Sequence, residues 1–397
     1  MFSPIWSQME LQYATEAANR FETPLYVYSL SRFRHNIREL KQKLGNQVSV
    51  CCSVKANPWL AVMGSNCADL IEVCSPGEWR YCLAKGIASE RIVLGGVKKT
   101  RAELFEAMEH APHRISVESR YQLADLSDAA ISVGKQAKVL LRLSSGNQFG
   151  MDCSEIQQII SHREEYPGIL FMGLHYYSGT QKKLPNQVLR DIQFLHEAAV
   201  SCGSWVQELE YGPGLGVPQF SGHLPDQYRN NLDLLAAEIQ KLTDTYKITL
   251  ECGRLLTADA GVYVATICEE KHNGGRDYLV VDGGMHQLHY YGQNSGVPIP
   301  YLWCAGTAAP RKVTVCGSLC TVSDILAKDV MLGGCAVGEK LVFMNAGAYA
   351  ATEGISLFLN RDLPAIVMEH DGVLLLLRQH MPTEALNENE RMFVSYE

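Results

Sequence analysis

From Val48 onward the chain alternates short apolar runs with longer stretches of helical period, and it does so eight times before the pattern changes. The runs are VSVCCSVK, ADLIEVCS, RIVLGGV, HRISVES, AKVLLRLS, GILFMGLHYY, VQELEYG and ITLECGR. Between most of them lie segments such as RAELFEAMEHA, CSEIQQIISHREEY, VLRDIQFLHEAAVSCG and NNLDLLAAEIQKLTDTY. Eight strand–helix units over about two hundred residues fit a closed (β/α)8 barrel better than an open sheet. The connection after Lys55 is the shortest of the eight.

After Arg254 the long helical stretches stop. GVYVATICEE, YLVVDGG, KVTVCGSL, EKLVFMN and GVLLLLR read as strands of an all-β C-terminal domain. The extended piece TPLYVYSL precedes the first helical stretch read here, SRFRHNIRELKQKL, and either gives that domain a strand or serves as a lead-in. The expected division is an α/β barrel over residues 27–256 and a β domain built from residues 1–26 with 257–397.

A formal charge of −8 leaves no basic footprint for nucleic acid, and the clusters at Lys98, Lys99 and Arg101 and at Arg311 and Lys312 read as solvated loops. No apolar run reaches the roughly eighteen residues a membrane span needs, so a soluble, cytoplasmic protein is expected. The thirteen cysteines are spread along a large chain and read as reduced thiols. Cys316 and Cys320 lack partners at zinc spacing, so no metal site is expected.

In a barrel of this kind the chemistry sits at the C-terminal ends of the strands. The polar residues that fall there are Lys55, Glu78, Arg142, His175, Tyr177, the glycines Gly212, Gly214 and Gly216 of YGPGLG, and then Glu251, Gly253 and Arg254. Glycine loops after the seventh and eighth strands suit a phosphate held by backbone N–H groups. GPGLG runs into Pro218 with no helix at once, which argues against a dinucleotide fingerprint. One phosphate, one lysine and one buried carboxylate together describe pyridoxal phosphate. Its lysine forms a Schiff base, and its carboxylate keeps the ring nitrogen protonated. Glu251 is the candidate carboxylate; an ion pair with Arg254 is its structural alternative.

With these residues in place, the sequence resembles the fold-type III pyridoxal-phosphate decarboxylases, which include diaminopimelate and ornithine decarboxylases. TPLYVYSL, SVKAN, SPGEW, GLHYYSGTQ, YGPGLG, ECGR, VDGGM, CTVSD and AGAY follow one another in the family's order over almost the whole chain. The resemblance implies that Lys55 carries the cofactor and that Glu251 meets the pyridine nitrogen. It implies that Gly214, Gly253 and Tyr349 contact the phosphate, with Arg142 near the cofactor's oxygen side; Gly212 and Arg254 are also expected to bind the cofactor. It also implies a homodimer with shared sites, in which Cys320 of CTVSD protonates the carbanion in its neighbour's site. Thr321 and Asp324 would then face the substrate.

Two departures from the family bear on substrate. The residue after the cysteine is acidic in diaminopimelate and ornithine decarboxylases and pairs with a distal ammonium; here it is Thr321. Where the family stacks a histidine on the ring, GLHYYSGTQ places Tyr177, and His175 reads as structural. VDGGMHQLHYYGQNSG is similar to the branch that acts on amino acids tethered through a distal carboxyl, such as glutamyl-carrier-protein decarboxylases; siderophore-intermediate decarboxylases are another such branch. The expected activity is decarboxylation of an L-amino acid whose distal group is not a free amine, with an acyl carrier protein as a candidate partner. The alternatives are a diaminopimelate, ornithine or lysine decarboxylase, an alanine-racemase-like enzyme, and a non-catalytic cofactor-binding regulator. A racemase has no use for CTVSD, and a non-catalytic homologue is expected to lose Lys55 or Cys320.

Overall fold

The computed structural model describes residues 3–289, 298–354 and 356–387. Within them the chain divides into two compact units: 33–217 with 224–256, and 3–32 with 218–223 and the described residues of 257–387.

The first unit is a closed barrel of eight parallel strands, as the eight apolar runs require. They are Val48–Ser53, Leu70–Val73, Ile92–Leu94, Arg114–Val117, Ala137–Leu143, Ile169–Tyr177, Glu208–Gly212 and Lys247–Cys252. The last pairs with the first, Val48 opposite Ile248 and Cys51 opposite Glu251. Barrel strands read as near-continuous apolar runs because helices cover one face and the packed interior covers the other. Cys51 and Cys52 take part in that packing as small core residues. Outside the barrel, helix Leu30–Leu44 buries Phe33, Ile37, Leu40 and Leu44 along one face at helical spacing. Each such side chain contributes about 1.5–3 kcal/mol when removed from water.

The short connection after Lys55 has a local cause. Strand Val48–Ser53 passes into a single tight turn, Val54–Ala56, and then into helix Pro58–Met63. Asn57 caps that helix by accepting the Leu60 N–H at 3.0 Å, and Pro58 occupies the position where a missing N–H costs nothing. Lys55 is therefore fixed between a strand end and a capped helix start.

The second unit is built on a nine-stranded sheet that is mostly antiparallel. Strand Leu25–Ser29, from TPLYVYSL, lies inside this sheet: it runs antiparallel to Gly261–Asn273 and parallel to Ala365–His370. All five of its residues are buried.

Strand Leu302–Cys304 and three further features of this unit escape the periodicity reading. Helix Gln8–Phe21 precedes the first helical stretch expected from sequence; Ser7 and Glu10 form its capping box, and Leu11, Ala14, Ala17 and Ala18 bury its inner face. Strand Ile325–Leu332 is broken in sequence by Lys328 and Asp329, the latter at φ 54°. Strand Ala365–His370 is a short apolar run just after Pro364. Part of the segment VDGGMHQLHYYGQNSG, residues 290–296, lies outside the described residues. Among the described residues no helix is long and apolar enough to cross a membrane.

Candidate active site

The ends of the barrel strands gather the polar residues of the first unit. Lys55 Nζ donates to both oxygens of Glu72, at 2.6 and 2.9 Å, and lies 3.2 Å from Cys74 Sγ. The lysine side chain is 43% exposed while that of Glu72 is 4% exposed, so the ammonium faces outward from a buried anion. Burial pushes the Glu72 carboxyl up, but the Lys55 charge and hydrogen bonds from Cys74, Lys55 and Ser53 outweigh it and hold the group at about 2. Cys74 donates to Glu72 at 2.9 Å; burial and the adjacent carboxylate push its thiol up, so it stays a neutral donor. Glu78 accepts the Cys74 N–H at 2.7 Å and so shapes this strand end.

Across the barrel the strand register brings together Arg142, His175 and Glu210, each opposite the next on adjoining strands. His175 Nε2 lies 3.4 Å from Glu251 Oε2, and its Nδ1 is 2.7 Å from Ser116 Oγ. Burial lowers the imidazole to about 4, so His175 is neutral near pH 7. Ligand atoms of His175, Glu210 and Glu251 all fall within 4.8 Å of one another. By donor type these three could hold a cation. Arg114 already brings a positive charge to them through its bonds to Glu210.

Burial pushes the Glu210 carboxyl up to about 8; Arg114 opposes this and Glu251 adds to it. Burial and the charge of Glu72 push Glu251 up as well. Two adjacent buried carboxyls of this kind hold one proton between them.

Arg142 is buried and forms an ion pair with Glu118, whose other oxygen accepts the Gly150 N–H at 2.9 Å. Its guanidinium also lies over the Phe149 ring, 5.0 Å from the centroid. Tyr177 and Gly212 face each other on neighbouring strands. A Cβ on Gly212 would come 2.8 Å from the Tyr177 ring and 3.3 Å from Glu251 Oε2, so the glycine keeps the space between those side chains clear. Gly214 has φ 56°, and a Cβ there would run into the Gly179 carbonyl. Gly253 follows the last barrel strand, and buried Arg254 opens the short helix Arg254–Thr257.

The remaining residues expected at the site belong to the second unit. Cys320 is exposed. Thr321 Oγ1 lies 2.9 Å from Ser323 Oγ in the same loop. Tyr349 sits in a turn at φ 64°, its carbonyl accepting the Thr352 and Glu353 N–H groups at 2.9 and 3.0 Å. Asp324, expected to face substrate, is engaged with its own loop. It is buried, its oxygens accept the Met285 and Leu319 N–H groups at 2.8 and 2.9 Å, and the backbones of Gly284 and Gly317 press against it. Its carboxylate shapes the loop that carries Cys320 and Thr321.

The family model described as pyridoxal-dependent decarboxylase, C-terminal sheet domain, matches residues 25–347. The chain belongs to the pyridoxal-dependent decarboxylase family. Among its relatives, the L-glutamyl-(BtrI acyl-carrier protein) decarboxylase of Niallia circulans is 27% identical over 96% of this chain and 98% of its own. The diaminopimelate decarboxylase of Aquifex aeolicus is 28% identical over 92% of this chain and 90% of its own. The solved diaminopimelate decarboxylase of Helicobacter pylori, complexed with L-lysine, shares the fold at a TM-score of 0.82 and 20% identity, covering 94% of this chain and 98% of that one.

A pyridoxal-dependent decarboxylase needs a place for an aromatic ring with a protonated nitrogen and a phosphate. Two features of this chain fit it. Glu251 Oε1 is buried and accepts no N–H among the described residues, its one side-chain hydrogen-bond neighbour being the Glu210 carboxyl, so it can serve as acceptor for a ring N–H. Gly212 keeps clear the space between Tyr177 and Glu251, and Gly214, at φ 56°, lets the glycine loop lie directly against the Gly179 carbonyl, which leaves a loop of small residues whose backbone N–H groups suit a phosphate.

Several residues of this constellation stand outside the list of strand-end residues read from sequence. Glu72 lies inside the run ADLIEVCS, Arg114 and Glu118 bound HRISVES, and Glu210 lies inside VQELEYG. The signal available was a charged residue within a strand buried on both faces, where an unpaired charge is costly. Lys99, read as part of a solvated cluster, is instead partly buried and its ammonium donates to the Gly96 carbonyl. Burial lowers it to about 8.

Proposed function

We propose that this pyridoxal-dependent decarboxylase removes the α-carboxylate of an L-amino acid whose distal group is an amide, ester or thioester rather than a free amine. The observation that carries this reading is Thr321. It stands where the resemblance places an acid that pairs with a distal ammonium, and its hydroxyl is turned toward Ser323 within its own loop. A neutral hydroxyl offers an ammonium no counter-charge, while it can hydrogen-bond a carbonyl or amide. The Niallia relative, which acts on a glutamyl group carried by an acyl carrier protein, supports the same substrate class.

In this reading Lys55 would hold pyridoxal 5′-phosphate and Glu251 its ring nitrogen. Tyr177 would cover one ring face, and Gly212, Gly214, Gly253, Arg254 and Tyr349 would surround the phosphate. Bound there, the cofactor supplies an electron sink for the bond that breaks at Cα. The chain's own residues set the stage for it. Glu72, its carboxylate held at about 2 and so charged at any working pH, pairs with the Lys55 ammonium of the cofactor-free chain and would stay beside that nitrogen as a fixed counter-charge. Neutral His175 packs beside Glu251 without competing for its proton. Cys320, brought by a second copy of the chain, donates the proton that replaces the lost carboxylate.

A second reading is favoured by the diaminopimelate decarboxylase relative: a free diamino acid as substrate. The deciding experiment incubates the protein with ornithine, lysine, diaminopimelate, glutamate and a glutamyl-carrier thioester and follows carbon dioxide release. Turnover of the thioester or of amide-linked acids above the free diamines supports the first reading. High efficiency on a free diamino acid alone supports the second.

A further inference from the structure

Behind the glycine loop lies a buried charge pair that plays no part in the chemistry above. Asp191, in helix Pro185–Cys202, accepts three hydrogen bonds on one oxygen: from Ser178 Oγ at 2.7 Å, from the Tyr211 hydroxyl at 2.9 Å and from the Lys182 ammonium. Lys182 is only 6% exposed. The three donors come from different places. Ser178 and Lys182 bound the SGTQK turn after strand Ile169–Tyr177, and Tyr211 is the residue just before Gly212.

The turn is joined directly to the glycine loop. The Lys182 N–H donates to the Gly214 carbonyl at 3.0 Å, and the Gly216 N–H donates to the Lys182 carbonyl at 2.9 Å. The approach is so close that a Cβ on Gly214 would strike the Gly179 carbonyl. A buried ion pair is a poor source of net stability, since apolar residues of similar size serve as well; here its hydrogen bonds tie helix Pro185–Cys202 to the 178–182 turn and to the strand that ends at Gly212.

We propose that the Lys182–Asp191 pair is a positioning element that locks the 178–182 turn onto the glycine loop, and so sets how tightly that loop holds the phosphate of the cofactor. Lys182 acts through backbone and is a positioning residue, not a catalytic one. The inference rests on the reading of the Gly212–Gly216 loop as the phosphate cradle.

The test uses the full-length protein freed of cofactor, titrated with pyridoxal 5′-phosphate and, separately, with pyridoxal, which lacks the phosphate. Two variants are compared with wild type: Lys182→Met, and the double variant Lys182→Met/Asp191→Asn. The double variant leaves no orphaned charge and keeps an acceptor for Ser178 and Tyr211, so it folds even where the single variant does not. Affinity for pyridoxal 5′-phosphate is expected to fall about tenfold or more in the folded double variant, while affinity for pyridoxal stays within about twofold. Unchanged affinity for the phosphorylated ligand, or an equal fall for both ligands, would overturn the proposal. Gly214→Ala serves as the reference for the cradle itself and is expected to lose the phosphorylated ligand selectively. If it binds both ligands in the wild-type ratio, the cradle reading fails, and the inference with it.

Discussion

Lys55 and Glu72 form an ion pair, Nζ to Oε1 at 2.6 Å, in which the anion is buried and the cation reaches outward. A lysine that must attack an aldehyde needs its neutral form, yet Glu72 stabilises the charged one. The pair therefore sets the pH at which the amine becomes reactive. Glu72→Gln removes the anion that favours the ammonium, so cofactor capture is expected to extend to lower pH than in wild type. The rate of pyridoxal 5′-phosphate attachment, followed by absorbance across a pH series, measures it. An unmoved profile would mean that Glu72 does not govern the amine.

Attachment itself is expected at Lys55. Borohydride reduction followed by peptide mapping should place the label in the peptide that contains SVKAN. Lys99 and Lys182 also lie in loops that follow barrel strands and serve as internal controls. A label on either would reassign the reactive lysine.

The buried ionisable groups make opposite demands as pH changes. Unfolded glutamate titrates near 4.3 and histidine near 6.5. Glu72, held at about 2, contributes stability that is present above its unfolded value and fades as pH falls toward 2. His175, lowered to about 4, costs stability as pH falls from 6.5 toward 4, because the unfolded chain binds the extra proton. Glu210, pushed up to about 8, acts in the other direction: its contribution is full below its unfolded value and is lost as pH rises toward 8. Thermal melts of the cofactor-free protein between pH 4 and 9 should show that alkaline decline, and Glu210→Gln should flatten it. A Glu210→Gln curve parallel to wild type would exclude a shared proton at this carboxyl pair.

If Cys320 serves a neighbour's site, two inactive proteins should complement each other. Lys55→Ala and Cys320→Ala chains, mixed and allowed to exchange subunits, are expected to regain up to about a quarter of the wild-type activity per subunit. One of the two sites in each mixed dimer then holds both intact residues. No recovery despite demonstrated exchange would place Cys320 outside a shared site.

Specificity is expected to follow Thr321. An ammonium that loses a charge-assisted partner forfeits roughly 1.5–3 kcal/mol, or about ten- to a hundredfold in selectivity. Thr321→Asp should therefore raise activity on free diamino acids relative to acylated ones, as the ratio of kcat/KM values. A ratio that does not move would remove Thr321 from substrate recognition.

The barrel was legible because its strands are buried on both faces and its helices on one, so two different periods alternate visibly along the chain. Lys55, Glu251 and the YGPGLG glycines were legible because each stands at a strand end, where polar residues interrupt apolar runs. Glu72, Arg114 and Glu210 were not, because their partners lie on strands distant in sequence: Arg114 and Glu210 are 96 residues apart. The local role of Asp324 was hidden for a related reason. Sequence shows an acid beside Cys320 and Thr321 but not the Met285 and Leu319 N–H groups that occupy its oxygens. Helix Gln8–Phe21 did carry a readable signal, the Ser7 and Glu10 capping pair, in a segment whose apolar face is mostly alanine.

Strand Leu25–Ser29 has a temporal meaning as well as a spatial one. Tyr26 pairs with Tyr263 on one side and with Ile366 on the other, so this segment, among the earliest to be synthesised, waits for some of the latest. The barrel strands, 48 to 252, are followed at once by Gly261–Asn273, but Ala365–His370 is made much later. Until then the ribosome-bound chain carries an apolar β-strand with an open edge, the kind of segment that recruits other chains. Loss of the last strands would leave the barrel sequence whole and still release a sticky N-terminus, so truncation at the far end should show itself first as aggregation driven from the near one.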